Sequence, residues 1–68
     1  MLEVMTSRDV IAILVATGWF LERIKGSHHQ YRHATRPGIV TVPLPKKDLK
    51  RGLVKSIEHQ SGLEIWPS

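Results

Sequence analysis

Turn-forming breaks set the architecture of this chain before any other feature does. Gly18, Lys25-Gly26-Ser27, Arg36-Pro37-Gly38, the pair Pro43 and Pro45, and Gly62 interrupt the sequence at short intervals. Each carries residue types that stop a helix or end a strand. The pieces between them have room for one helix or one strand apiece. With 68 residues the chain is a single domain near the lower size limit for a self-sufficient core. A separate catalytic domain or a large cofactor does not fit. Cys is absent, so neither a disulfide framework nor a thiolate metal site can staple the fold, as suits a reducing cytosol. The 41% hydrophobic fraction suffices for one layer of helices on one sheet.

Thr6 is placed to N-cap a helix, and Asp9 three positions later makes an approximate capping box. Asp9 also puts negative charge in the first turn, where the helix dipole favours it. Val10, Ile11, Leu14 and Val15 recur at helical spacing, which predicts a short amphipathic helix over 7–17, stopped by Gly18. Trp19 to Ile24 are rich in aromatic and branched types and favour a strand. After the Lys25-Gly26-Ser27 turn, His28 to His33 reads as a second, polar strand. Ile39-Val40-Thr41-Val42 is the clearest strand in the sequence, and Pro43 and Pro45 end it. Leu53, Val54 and Ile57 predict a second helix over 51–61, closed by Gly62.

The order is therefore α-β-β-β-α. Short turns make the sheet an antiparallel meander, and one face of it is the only surface both helices can cover. The expected class is α+β, a three-stranded antiparallel sheet with two helices packed on one face. The tail Ile65-Trp66-Pro67-Ser68 has no assignment; Trp66 is available to fold back on the core or to meet a partner.

Ten Lys and Arg stand against six acids, for a net charge of +4 and a pI near 10. Such a balance on a small domain favours a phosphate-bearing partner or an acidic protein. No apolar run approaches the roughly 18 residues of a membrane span. Met1-Leu2-Glu3-Val4 lacks the basic head and apolar stretch of a secretory signal. A cytoplasmic, non-membrane protein is expected.

Three of the four histidines, His28, His29 and His33, fall within six positions, flanked by Lys25, Arg32 and Arg36. Histidine exchanges a proton near physiological pH. Alternation along a strand puts His28, Gln30 and Arg32 on one face and His29, Tyr31 and His33 on the other. Tyr31 is the residue most worth burying, so its face meets the helices and His28 is left on the open face. His28 is the candidate for chemistry; His29 packs or hydrogen-bonds at the core edge. The plain alternative is a surface histidine with no role. Adjacent histidines point apart, Cys is absent and no acidic ligand is near in sequence, so no metal is expected.

A second feature is Lys46, Lys47, Lys50, Arg51 and Lys55, five basic residues in ten positions leading into the second helix. Helix N-termini offer unpaired N–H groups to phosphate, and nearby lysines add charge. The plain alternative here is a solvated charged face.

Gly18-Trp19 after the first helix, Gly26-Ser27-His28-His29 before Tyr31, Val40-Thr41-Val42-Pro43, Lys47-Asp48-Leu49 and Ser61-Gly62-Leu63 occur in one order over nearly the whole chain. Taken together they resemble the HicA family of toxins from bacterial toxin–antitoxin pairs, with residues 1–68 as a single such domain. The resemblance implies a fold similar to double-stranded-RNA-binding domains, ribosome-independent cleavage of mRNA, and inhibition by a HicB-type antitoxin. The family's functional histidine follows the Gly-Ser turn, which carries over to His28. Some members keep a histidine only at the next position, which corresponds to His29; strand alternation favours His28.

Without metal or cofactor, a neutral His28 can take the proton of a ribose 2′-OH, which then attacks the adjacent phosphorus. Lys25, Arg32 or the Lys46-Lys47 cluster would stabilise the phosphorane oxygens, with His29 a further auxiliary. Gly26, Ser27, Lys46, Lys47, Lys50, Arg51 and Lys55 are the expected RNA contacts. The expected activity is a metal-independent endoribonuclease. The competing readings are a noncatalytic double-stranded-RNA-binding module and a small adaptor whose basic face docks an acidic partner. His28 on the open face separates the nuclease from the duplex-binding module, since simple duplex binding has no need of it. An antitoxin also presents an acidic surface, so partner docking and RNA binding overlap.

Overall fold

Five elements follow one another in the expected order: α1 (Ser7–Ala16), β1 (Trp19–Lys25), β2 (His28–His33), β3 (Val40–Pro43) and α2 (Arg51–Ser61). The computed structural model describes residues 5–44 and 48–65. Lys46, Lys47 and Trp66, all of which carry expectations from the sequence, lie outside the described residues. The strands form an antiparallel meander in the order β1-β2-β3. β3 runs one residue later than the sequence suggests at both ends and takes in Pro43, whose missing N–H is tolerated at a strand end on a sheet edge.

Local chemistry explains where α1 begins and ends. The Thr6 hydroxyl accepts from the Asp9 N–H at 3.1 Å, and the Asp9 carboxylate accepts from the Thr6 N–H at 2.9 Å. The capping box is complete rather than approximate. The backbone and hydroxyl of Thr6 hold the Asp9 carboxyl below its ordinary value. At the other end the Thr17 hydroxyl donates back to the Ile13 carbonyl at 2.8 Å. Gly18 follows with φ of 101°, and a Cβ there would lie 2.6 Å from His33 Nε2. α2 has no side-chain cap at Lys50 and ends on Gly62 in the left-handed region.

Val10 and Leu14 of α1, Val54 and Ile57 of α2, and Trp19, Tyr31, Val40 and Val42 of the sheet share one buried cluster. Burying each such aliphatic or aromatic side chain contributes roughly 1.5–3 kcal/mol. Two further parts of the core leave no periodic trace in the sequence. Met5 is buried and pairs with Leu49, whose N–H donates to the Met5 carbonyl at 2.7 Å. Ile65 is buried beyond α2, its N–H donating to Glu58 Oε2 at 2.7 Å.

These contacts orient the helices. Arg36 Nη1 donates to the Ser61 carbonyl and the Thr41 N–H donates to Gln60 Oε1, so α2 ends over the start of β3 and begins at the Pro43 end. α1 ends where Thr17 meets His33 and begins beside Leu49. Both helix N-termini therefore lie at the end of the sheet that carries the Gly26-Ser27 turn.

β1 carries an irregularity in its pairing with β2. Its register against β2 steps from Leu21↔Tyr31 to Arg23↔Gln30, leaving Glu22 as an extra residue. A bulge of this kind resets the alternation of side chains beyond it. Trp19 and Leu21 stand on the helix side, yet after the bulge Ile24 takes that side, while Arg23 and Lys25 turn to the open face.

Candidate active site

His28 opens the central strand immediately after the turn. Gly26 adopts φ of 60° there, and the Ser27 carbonyl accepts from the Leu44 N–H at 2.6 Å. That bond ties the turn to the end of β3. His28 is exposed, and its imidazole has no hydrogen bond or ion pair among the described residues. Its cross-strand partners are Lys25 on one side and Pro43 on the other. Directly opposed residues share a face with Cβ atoms about 4.5–5.5 Å apart. Lys25, His28 and Pro43 thus form one row of the open face, and Arg23, Gln30 and Thr41 form the next.

The β1 bulge puts the cations in this arrangement. With regular alternation from the buried Trp19, Lys25 would stand on the helix side, away from His28. The extra residue Glu22 reverses that. Arg23 joins the face without having been singled out from the sequence, because a bulge leaves no periodic signal, and Thr41 joins it by plain alternation along β3.

Arg32 shares the open face but stands four residues from His28, about 13 Å along the strand. Its Nε pairs with Glu22 Oε1 at 2.6 Å. That bond holds the Glu22 carboxyl below its ordinary value and raises Arg32 further. Arg32 is thus engaged with the bulge and not aimed at the row of His28.

His29 and His33 flank Tyr31 on the opposite face. His29 is half-buried between Ile24 and Val42. His33 is fully engaged: Nε2 donates to the Thr17 carbonyl at 3.0 Å and Nδ1 accepts from the Thr35 N–H at 3.1 Å. Its ring also meets Trp19 edge-on, with centroids 5.2 Å apart. His28 and His29 point to opposite faces, and His29 and His33 are four strand residues apart, so the three cannot hold one ion together. No group of three or more His, Asp or Glu side chains suited to a metal occurs among the described residues.

Lys50, Arg51 and Lys55 are exposed at the start of α2, at the same end of the sheet as His28. Arg36, one of the cations flanking the histidines in sequence, instead supports the C-terminus of α2. No helix among the described residues is long and apolar enough to cross a membrane.

A family model described as the HicA toxin of bacterial toxin–antitoxin systems matches residues 7–63. No curated protein matches the chain.

Proposed function

Because the chain belongs to the HicA toxin family, and so is the toxin of a toxin–antitoxin system with a cognate antitoxin, we propose that it acts as a metal-independent endoribonuclease on mRNA in the cytoplasm, silenced by a HicB-type antitoxin. The observation that carries this reading is the contrast on β2. His28 is exposed, unengaged and opposite Lys25, whereas His33 is fully engaged in holding the fold.

In the proposed reaction the imidazole of His28 takes the proton from a ribose 2′-OH. The 2′ oxygen forms a bond to the adjacent phosphorus, and the bond from phosphorus to the 5′ oxygen breaks. Lys25 stands across the strand pair to balance charge on the phosphorane oxygens. Arg23, one row further along the same face, extends the positive surface. The departing 5′ oxygen takes a proton from water or Lys25, since His29 faces the helices. The products are a 2′,3′-cyclic phosphate and a 5′-OH.

RNA phosphates are held at the positive end of the α2 dipole and by Lys46, Lys47, Lys50, Arg51 and Lys55. Gly26 and Ser27, in the turn directly before His28, are further contacts in this reading. A single general base gives about 10²–10⁴-fold, which makes a modest nuclease. The test is incubation of purified protein with defined RNA, with and without chelator, followed by analysis of product ends. Cyclic phosphate ends with chelator present are expected. Activity that vanishes in chelator and returns with one divalent ion contradicts the proposal.

A further inference from the structure

The two outer edges of the sheet are finished differently. On β3 the Thr41 N–H is taken by Gln60 of α2, whose amide is in turn steadied by Ser56. On β1 no side chain or neighbouring backbone among the described residues bonds to the outer edge. That edge runs for seven residues and carries most of the exposed bulky apolar side chains. Phe20 is 50% exposed, Leu21 46% and Ile24 54%. The bulge brings Leu21 and Ile24 onto the same, helix-side face, beyond the area the helices cover. A long, unpaired apolar edge invites a further strand.

The charge along β1 identifies the occupant. Glu22 is held by Arg32 at 2.6 Å and feels Arg23 only through space. One carboxylate thus faces three cations, and neither Arg23 nor Lys25 makes a close ion pair among the described residues. The uncompensated charge of the edge is therefore positive, on a chain of net charge +4. A second copy would bring that same charge against it, whereas an acidic strand complements it. We infer that β1 is the docking edge for the cognate antitoxin, through an antiparallel strand whose apolar side chains cover Leu21 and Ile24 and whose carboxylates meet Arg23 and Lys25.

The inference rests on the toxin reading and adds a route to inhibition. A carboxylate at Lys25 occupies the position proposed for the scissile phosphate, one strand away from His28. Pairing along the edge and closure of the site are then one event.

The experiment measures antitoxin affinity, RNA cleavage and self-association for the wild-type chain and the double variant Leu21→Ser, Ile24→Ser. Both side chains lie on the face away from His28, so cleavage by the variant should match wild type. Its affinity for the antitoxin should fall at least tenfold. Amide hydrogen exchange on the wild-type complex needs no variant: residues 19–25 should be slowed by antitoxin. Unchanged affinity overturns the docking site, and so does protection confined to the α2 N-terminus. A concentration-dependent wild-type dimer that the double variant abolishes also overturns it, in favour of a second copy. If wild type binds antitoxin through β1 yet cleaves no RNA, the nuclease reading fails and the docking edge stands.

Discussion

The two ends of β2 begin and finish with the same residue type and put it to opposite uses. At one end His33 bonds to Thr17 and Thr35 and packs against Trp19, joining the end of α1 to the turn that precedes β3. At the other, His28 bonds to nothing among the described residues and stands exposed beside Lys25. Around His33, Gly18 makes room and Arg36 reaches across to α2. Around His28 are both helix N-termini and the exposed cations. Within one strand, then, surroundings and not residue identity separate a structural imidazole from the one proposed to react.

The largest expected loss of stability from breaking this contrast comes at the structural end. His33→Ala removes the bonds to the Thr17 carbonyl and the Thr35 N–H, worth about 0.5–1.5 kcal/mol each, together with the edge contact to Trp19. Denaturant unfolding should register it, while the folded variant keeps its activity. Gly18→Ala comes next. A Cβ would press on the His33 ring from a backbone conformation that disfavours side chains, and the cost should exceed about 1 kcal/mol. An unchanged unfolding midpoint in either variant would remove the structural half of the comparison.

At the other end the effects fall on RNA and leave stability nearly alone. Replacing Lys46, Lys47 and Lys50 with Ala should weaken RNA binding. It should also flatten the salt dependence by about 0.7–0.9 units for each phosphate that is no longer neutralised, with folding changed by no more than about 0.5 kcal/mol. An unchanged salt slope would reduce the segment to a solvated face.

The smallest effect concerns the bulge. The Arg32 guanidinium holds the Glu22 carboxyl below its ordinary value. Its contribution to stability is present above the ordinary value of 4.5 and is lost as pH falls through the lower folded value. Glu22→Gln should lack that part of the acid-induced decline, visible as a shallower fall of melting temperature below pH 4.5.

Much of this arrangement is legible in the sequence itself. Thr6 and Asp9, the helical spacing of Val10 and Leu14, and the Gly-Pro breaks mark every element to within a residue or two. They succeed because caps, turns and periodicity are local. Tyr31 assigns the faces of β2 for the same reason, since alternation needs only one buried reference residue. The family resemblance, carried by short motifs in fixed order, agrees with the match over residues 7–63.

What the sequence hides is non-local or aperiodic. The Met5–Leu49 pairing joins residues far apart in the chain, and the burial of Ile65 depends on a bond to Glu58. The Glu22 bulge interrupts the alternation that would have revealed it. It is the feature that turns Lys25 toward His28, and also the one that sets Leu21 and Ile24 on one face. His33 gives no sign of its structural duty, because its partners lie across the Gly18 turn and beyond the strand.

The most direct test sets the two ends of β2 side by side. Wild type, His28→Ala and His33→Ala are incubated with the same RNA at a temperature where all three are folded, and the product ends are analysed. Wild type and His33→Ala should yield 2′,3′-cyclic phosphate and 5′-OH ends, while His28→Ala loses roughly 10²–10⁴-fold in rate with its unfolding midpoint unchanged. Cleavage by His28→Ala at the wild-type rate, with the same ends, would contradict the account.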